Sequence, residues 1–228
     1  RCLLGGNYGV GNLGDEALKE YFLTAFADVE WTVLSASPAG PREVPRLPFG
    51  LRSFFGTAWW KTLRALLRCD AVVFGGGSLF TDVESPRACL LWWWHGVVPW
   101  LLRKPVVLAF QGIGPFRTAA GEWCANRTVR RAAFVSVRDT ESAARIRTWS
   151  RARIVVSFDP VLALFSGATP PSASHDILAV IPRANSGDSF RALVLASAGR
   201  HSTKAVNIIS LEPGSAAEQA FCRSLAAA

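Results

Sequence analysis

The stretch that decides the fold is Gly5–Leu18, which reads GGNYGVGNLGDEAL. It follows a short apolar run, Cys2–Leu4, and leads into an acidic helix start at Asp15 and Glu16. A strand, a glycine-rich turn and a helix N-terminus in this order let backbone N–H groups face a phosphate or a carboxylate. We therefore expect an anion-handling site at the carboxyl end of the first strand.

Apolar, β-branched runs alternate with helical patterns along the first two thirds of the chain. The predicted strands are Cys2–Gly5, Trp31–Ser35, Ala71–Phe74, Val106–Gln111, Phe134–Val137 and Ile154–Ser157. The predicted helices are Asp15–Ala27, Thr57–Arg68, Arg87–Leu102, Ala119–Arg131 and Asp139–Trp149. This alternation predicts an α/β fold, a Rossmann-like parallel sheet with helices on both faces.

The sequence also predicts a second, smaller α/β unit. The N-terminal Rossmann-like domain is expected to cover residues 1–165, and residues 166–176, rich in Ser and Pro, are typical of a linker. Residues 177–228 are too few to close a sheet of their own, so we expect a partial C-terminal domain. Its predicted elements are the strands Ile177–Ile181 and Ala205–Ser210 and helices near Phe190–Ser197 and over Ser215–Leu225.

The composition is that of a folded protein with an uneven charge. The chain has 228 residues, of which 50% are hydrophobic and 18% charged, which excludes a disordered chain. Residues 51–158 carry 16 basic and 6 acidic side chains. Such a block favours an anionic partner, namely a phosphorylated substrate, a membrane surface or a nucleic acid. The alternative is arginine usage from a GC-rich gene.

Cysteine and histidine usage indicates neither disulfides nor a metal. The five Cys are scattered without a C-x-x-C pair, and the three His lack zinc-ligand spacing. We expect free thiols in a reducing compartment, hence a cytoplasmic location. The chain has no Met and begins at Arg1 inside the first predicted strand, which favours a piece of a longer protein.

Two segments raise the question of a membrane. The most apolar one, Cys89–Leu102, spans 14 residues and contains His95 and Pro99. A crossing helix needs about 20 residues, so we expect none here. The second segment, Thr57–Arg68, combines three cations with tryptophan. It is either a helix that lies in a bilayer interface or an ordinary helix packed on the sheet.

Three more glycine- or arginine-bearing turns follow predicted strands. They are Gly75-Gly76-Gly77-Ser78, Gln111-Gly112-Ile113-Gly114 and Val137-Arg138-Asp139. Because ligands of open α/β sheets sit at the carboxyl ends of the strands, we expect the four turns to line one crevice. The predicted binding residues are Gly9, Gly11, Asn12, Gly14, Gly75, Gly76, Gly77, Ser78, Gln111, Gly112, Gly114, Arg138 and Asp139.

The first turn also satisfies the dinucleotide fingerprint G-x-G-x-x-G over Gly9–Gly14. The acidic residue that should bind the ribose is missing, because the next strand ends Leu34-Ser35-Ala36-Ser37. A dinucleotide is therefore not expected.

The ordered set of turns resembles the polysaccharide pyruvyl transferases, over residues 1–183. The matching segments are Gly6–Glu16, Gly75–Asp82, Gln111–Pro115, Val137–Asp139 and Asp159-Pro160. The resemblance implies transfer of a pyruvyl group from phosphoenolpyruvate to a sugar, usually as a ketal that bridges two hydroxyls. It implies a GT-B-like two-domain architecture and no cofactor beyond phosphoenolpyruvate as donor substrate. It also implies that Arg183 matches an arginine that the family commonly carries there.

The implied reaction assigns roles to charged residues. It needs an acid for the enol methylene, a base for the hydroxyl protons and cations for the donor's carboxylate and phosphate. Asp15, Glu16 and Asp82 are the predicted acid/base or sugar-binding groups, and Arg138 and Arg183 are the predicted anion holders.

Each of these residues also has a structural alternative. Asp15 and Glu16 complement a helix dipole, and Asp82 caps a loop. Asp139 is an N-cap, and Arg138 pairs with a neighbouring carboxylate.

The sequence leaves three functions open. The first is a pyruvyl transferase for a cell-envelope polysaccharide or its lipid-linked precursor, held at the inner face of the membrane by the basic, Trp-rich segment Arg52–Arg103. The second is a GT-B glycosyltransferase that uses a nucleotide sugar. The third is a non-catalytic remnant, because the family's Arg-Leu-His segment is missing and Gly199-Arg200-His201 lies too early to replace it. No nucleic-acid-binding motif is present, so nucleic acid is not an expected partner.

Overall fold

The computed structural model describes residues 1–83, 85–165, 177–183, 186–200, 203–212 and 214–227. The chain divides into two compact units. The first comprises Arg1–Val10 and Gly14–Ser166, and the second comprises Gly11–Leu13 and Gly167–Ala228. The predicted linker, residues 166–176, lies outside the described residues. The predicted domain bounds and the GT-B arrangement remain predictions.

The first unit is built on a seven-stranded parallel sheet in the order β3-β2-β1-β4-β5-β6-β7. The chain builds outward from β1 to β3, then returns to place β4 on the other side of β1. This reversal creates the topological switch point at which open α/β sheets bind ligands. The Rossmann-like α/β fold is confirmed. The strands are β1 (Cys2–Gly5), β2 (Trp31–Ser35), β3 (Glu43–Pro45), β4 (Ala71–Gly75), β5 (Val106–Gln111), β6 (Phe134–Val137) and β7 (Ile154–Val156).

Helices cover both faces of this sheet. Alternate residues of β1 point to opposite faces, so Leu4 packs with Phe22 on one side and Leu3 with Leu66 on the other. The first side carries α1, and the second carries α3 to α6. The helices are α1 (Leu13–Ala25), α2 (Leu51–Gly56), α3 (Trp60–Arg68), α4 (Pro86–Leu101), α5 (Ala119–Arg131) and α6 (Thr140–Ile146), with a 3-10 helix at Pro160–Phe165.

Most predicted elements are confirmed, but several bounds and two elements differ. Strand β3 and helix α2 were not predicted, because β3 has three residues and ends in a proline, and α2 has only six. The helix expected at Thr57 begins at Trp60, and the one expected to reach Trp149 ends at Ile146. Short edge elements of this kind lack a hydrophobic period to detect.

The described residues of the second unit form two parallel strands and two helices. Strands β8 (Ile177–Val180) and β9 (Ala205–Ile208) pair in register, and α7 (Gly187–Arg200) and α8 (Ala216–Ala226) accompany them. Its small core contains Val180, Val194 and Leu225. The predicted order of elements is confirmed.

All five cysteines are free thiols, three of them buried. Within the described ranges, no three His, Cys, Asp or Glu side chains are grouped so that they could hold a metal ion. No helix among the described residues has both the length and the apolar character to cross a bilayer.

Candidate active site

Four strand-end turns of the first unit meet at one edge of the sheet. A Cβ added to Gly77, after β4, would lie 3.3 Å from Asp15 Oδ1 near the start of α1. A Cβ added to Gly112, after β5, would lie 2.7 Å from Ser78 Oγ and 3.0 Å from Arg138 Nε. The turns after β1, β4, β5 and β6 therefore lie side by side, each close to the next, and that they line one crevice remains a prediction.

Asp15 is a partly buried carboxyl group at the centre of this edge. Its Oδ2 accepts a hydrogen bond of 3.2 Å from Asn7 Nδ2. Burial raises the pKa of Asp15, and the charge of Glu16 adds to the rise. The Asn7 bond and the charges of Arg46 and Arg138 oppose it without cancelling it. Asp15 thus keeps its proton to a higher pH than an ordinary aspartate, which suits a proton donor.

Glu16 fixes the first glycine-rich turn. Its Oε1 accepts a 2.7 Å hydrogen bond from the backbone N–H of Gly9, which has a left-handed φ of 74°. Its other oxygen lies 2.5 Å from Lys19 Nζ, which also reaches Glu43 at 3.3 Å. These contacts favour a supporting role for Glu16 in holding the turn beside Asp15.

Arg138 is the cation that follows β6. It donates to Asp159 Oδ2 at 2.6 Å and to Ser78 Oγ at 2.9 Å. The pairing with a neighbouring carboxylate, one of the two predicted alternatives, is therefore observed. These bonds use two of the five guanidinium N–H groups, so the side chain retains donors for an anionic ligand.

Sequence reasoning missed Arg46, the residue that follows β3. Its guanidinium donates to Asn7 Oδ1 at 3.0 Å and lies 5.1 Å from the centroid of the Trp92 ring on α4. The next residue, Leu47, donates its backbone N–H to His95 Nε2 at 3.0 Å. Helix α4 thereby positions Arg46. A cation directly after a strand would have indicated this residue, but β3 has only three residues and was not predicted as a strand.

The edge thus carries charges of alternating sign after four of the seven strands, with the neutral Ser78 between them. From β3 to β7 the order is Arg46, Asp15 with Asn7, Ser78, Arg138 and Asp159. Two guanidinium groups can hold a carboxylate or a phosphate. A carboxyl group with a raised pKa between them can exchange a proton with the bound molecule.

Asp82 is used elsewhere in the same unit. It is 1% exposed and accepts hydrogen bonds from the backbone N–H groups of Arg117, at 2.6 Å, and Thr118, at 2.9 Å, and from the Thr118 hydroxyl. Burial opposes its ionisation, but these bonds outweigh burial and lower its pKa. The contacts favour the loop-capping alternative, in which Asp82 holds the entry to α5.

Asp139 and Gln111 also have structural partners. Asp139 is the N-cap of α6 and accepts from the backbone N–H of Ser142 at 2.6 Å and its hydroxyl at 2.9 Å. Gln111 is fully buried, and its Nε2 donates to the carbonyls of Phe74 and Gly76 at 3.0 and 3.1 Å. Both residues therefore stabilise the backbone at this edge of the sheet.

The remaining turn glycines are part of the same framework. Gly75 ends β4, and its carbonyl accepts a 2.8 Å hydrogen bond from the Tyr8 hydroxyl. The N–H of Gly76 donates to Ala109, and that of Gly114 to Phe80, both at 2.7 Å. Gly14, exposed in the first turn of α1, completes the predicted glycines of this unit.

Three predicted binding residues belong to the second unit. They are Gly11, Asn12 and Arg183. Asn12 and Arg183 share one acceptor, because both donate to Glu212 Oε1, at 3.3 and 2.8 Å. His201 lies outside the described residues.

A separate cavity of about 450 Å³ lies on α5, away from the carboxyl edge. None of its lining residues is a carboxylate that could exchange a proton, so we place the chemistry at the carboxyl edge. Its lining residues are Trp123, Asn126, Arg127, Arg130, Arg131 and Arg151.

Comparison with known proteins gives one clear result. No curated protein matched the chain. The family model described as polysaccharide pyruvyl transferase matches residues 12–211 of the 228. The matched range includes Asp15, Ser78, Arg138 and Arg183. Since the match covers most of its length, the chain belongs to the polysaccharide pyruvyl transferase family.

Proposed function

We propose that this chain transfers a pyruvyl group from phosphoenolpyruvate to two hydroxyls of a saccharide in polysaccharide biosynthesis, forming a cyclic ketal. The observation that carries the proposal is the position of Asp15, whose raised pKa is opposed by the charges of Arg46 and Arg138. A donor with a carboxylate, a phosphate and a protonatable carbon matches a site with two cations and one proton donor. No further cofactor is needed for this chemistry.

The proposed reaction begins with protonation of the donor. Asp15 gives its proton to the methylene carbon of phosphoenolpyruvate, and one saccharide hydroxyl oxygen forms a bond to the adjacent carbon. Asp15, now ionised, takes the proton of that hydroxyl. The second hydroxyl then displaces phosphate from the same carbon, and its proton leaves with the phosphate. The products are the pyruvyl ketal and inorganic phosphate.

The other residues bind and orient in this proposal. Arg138, held by Asp159 and Ser78, faces the donor's negative charge, and Arg46 lies on the other side of Asp15. Positive groups fixed before the reaction stabilise charge that develops on the departing phosphate. Arg183 of the second unit is retained as a proposed donor-binding residue on the family resemblance. The proposed acceptor is a cell-envelope polysaccharide or a lipid-linked precursor.

Calorimetric titration with phosphoenolpyruvate tests the donor. We expect wild-type protein and Arg130→Ala, altered in the α5 cavity, to bind it equally. We expect Arg138→Ala to bind it at least about tenfold more weakly, because charge-assisted bonds to an anion are lost. Binding of a nucleotide sugar in place of phosphoenolpyruvate would identify a glycosyltransferase. Binding of neither by folded protein would identify a non-catalytic relative.

Product analysis tests the reaction itself. With phosphoenolpyruvate and a panel of saccharides in deuterated water, we expect phosphate release and a saccharide that gains the mass of one pyruvyl group. Its new methyl group should carry a single deuteron, because the proton delivered to the methylene carbon exchanges with solvent on Asp15. Phosphate release without a pyruvylated product would contradict the proposal.

A further inference from the structure

The segment that connects β3 to β4 exposes an unusual amount of aromatic surface. We call residues 49–68, which include α2 and α3, the aromatic arm. Phe55 is 82% exposed, Leu51 79% and Trp60 57%. Phe49, Phe54 and Leu67 are exposed as well. Single exposed apolar side chains are ordinary, but six exposed ones lie within 19 residues of this arm, and apolar surface concentrated in this way marks an interaction site.

The rings are held outward by an ordered local structure. The centroid of Phe54 lies 5.2 Å from those of both Phe55 and Trp59. Trp59 Nε1 donates to the Phe54 carbonyl at 3.0 Å, which ties the end of α2 to the start of α3. Thr57 closes the turn by donating to the Ser53 carbonyl at 2.6 Å. The arm therefore has a defined shape without burying its aromatic rings.

Helix α3 separates this exposed surface from the core. Its buried residues, Thr62 and Leu66, face the sheet, where Leu66 packs in the cluster with Leu3. Lys61 and Arg64 lie on the exposed side. Helix α3 is therefore amphipathic: one face packs on the sheet, and the other is free to contact a different surface.

The charge of the arm is of one sign. No Asp or Glu occurs between Glu43 and Asp70. Four exposed cations lie among the rings, and Lys61 Nζ is 5.8 Å from the centroid of the Trp60 ring. Cations beside exposed aromatic side chains, without acids, match a surface that is both anionic and partly apolar. The four are Arg52, Lys61, Arg64 and Arg68.

From this combination we propose that the aromatic arm docks on an anionic lipid bilayer, with its rings in the headgroup region and its cations on lipid phosphates. Interfacial helices bind by this pairing of aromatic insertion and basic attraction. A protein partner would instead need an acidic, apolar surface, and it would leave the chain unbound to lipid vesicles. The proposal does not depend on the proposed function.

Vesicle sedimentation with the full chain tests the proposal. We expect strong binding to vesicles rich in phosphatidylglycerol, weak binding to phosphatidylcholine vesicles, and a decrease with salt. Hydrogen exchange on the same samples should show slower exchange of backbone amides over residues 51–67. Absence of vesicle binding, or protection only elsewhere, would overturn the proposal.

Double variants show whether vesicle binding depends on the arm or only on the positive charge of the whole chain. Phe54→Ser with Phe55→Ser should weaken partitioning at least about tenfold, because each ring loses favourable apolar transfer. Lys61→Ser with Arg64→Ser should weaken partitioning about 25-fold, since each cation near an anionic surface contributes a factor of about five.

Two controls match these changes. Leu162→Ser, 64% exposed in the 3-10 helix, and Arg127→Ser with Arg130→Ser on α5 should bind nearly as well as wild type. Equal loss in the controls would refute the arm as the docking surface. The altered side chains are all exposed, so thermal unfolding should be unchanged. Should an arm variant unfold, the hydrogen-exchange pattern of wild type decides.

Discussion

Asp15 combines a raised pKa with the charges of two guanidinium groups, those of Arg46 and Arg138. Burial raises the pKa of Asp15 more than the two positive charges lower it, so the carboxyl group stays protonated above the pH at which an ordinary aspartate ionises. A group in this state is a proton donor when it meets a polarised carbon. A substitution at Asp15 separates its part in catalysis from its effect on folding, because turnover and stability should change in opposite directions.

We predict that Asp15→Asn lowers turnover about a hundredfold or more, because the proton donor is lost. It should also stabilise the fold at neutral pH. Above its ordinary value of 3.8, the unfolded carboxyl group is ionised, whereas the folded one keeps its proton to a higher pH. Stability therefore falls as pH rises through the raised pKa, and the variant escapes this loss. Phosphate-release assays and urea unfolding measure the two effects. Full activity in the variant would exclude Asp15 as the donor.

A substitution at Gly77 tests the close contact between the turns after β1 and β4. Its φ is 75°, and a Cβ would lie 3.3 Å from Asp15 Oδ1. We predict that Gly77→Ala costs about 1–2 kcal/mol of unfolding free energy and weakens phosphoenolpyruvate binding.

Gly199→Ala is the matched control for this change. Gly199 lies in α7, where an added Cβ meets no atom within 4 Å. We expect that variant to gain about 0.5–1 kcal/mol, because alanine favours a helix over glycine. If Gly77→Ala behaved like the control, the turns would not be packed as described.

At the scale of elements, Asp82 determines where α5 begins. It holds the backbone of Arg117 and Thr118, and Thr118 in turn caps α5 by accepting from the backbone N–H of Gly121 at 3.0 Å. We predict that Asp82→Ala costs about 2–4 kcal/mol of unfolding free energy, since several buried donors lose their acceptor. Thr118→Ala should cost less. Denaturant titration measures both; a stable Asp82→Ala variant without activity would return Asp82 to the catalytic set.

Helix α4 contains a buried histidine that makes the fold sensitive to acid. His95 Nδ1 donates to the Leu91 carbonyl at 2.8 Å, and its Nε2 accepts from Leu47, so the ring is neutral. Burial lowers the pKa of His95 to about 4. Between pH 6.5 and 4 the unfolded state therefore binds a proton that the folded state does not, and stability falls as pH falls.

We predict that this histidine removes roughly 3 kcal/mol of unfolding free energy between pH 7 and 4. His95→Gln should be less stable at pH 7 but should lack this slope. Denaturant unfolding at a series of pH values measures it. Parallel slopes for wild type and variant would show that His95 titrates normally.

The elements that sequence predicted well are those with long, regular patterns. The all-apolar run of β5 is typical of a strand buried on both faces, and the Asp139 cap follows from residue type alone. Arg46 was missed because β3 is too short to predict. The structural use of Asp82 and Gln111 was not predictable either, because it depends on partners 35 residues away in sequence that only the packed sheet brings near.

At the scale of the whole molecule, the first unit supplies a complete sheet edge, with donors, acceptors and a carboxyl group in contact. The second unit supplies Asn12 and Arg183, which converge on Glu212. The aromatic arm and the α5 cavity give the first unit two further cationic surfaces. Three cationic regions in one chain make the location of the donor the decisive question.

A crystal structure of the chain with phosphoenolpyruvate bound answers that question most directly. We expect density at the carboxyl edge of the first unit, with a donor oxygen within hydrogen-bond distance of Arg138 and the methylene carbon facing Asp15. Density in the α5 cavity alone, with the carboxyl edge empty at saturating donor, would contradict it.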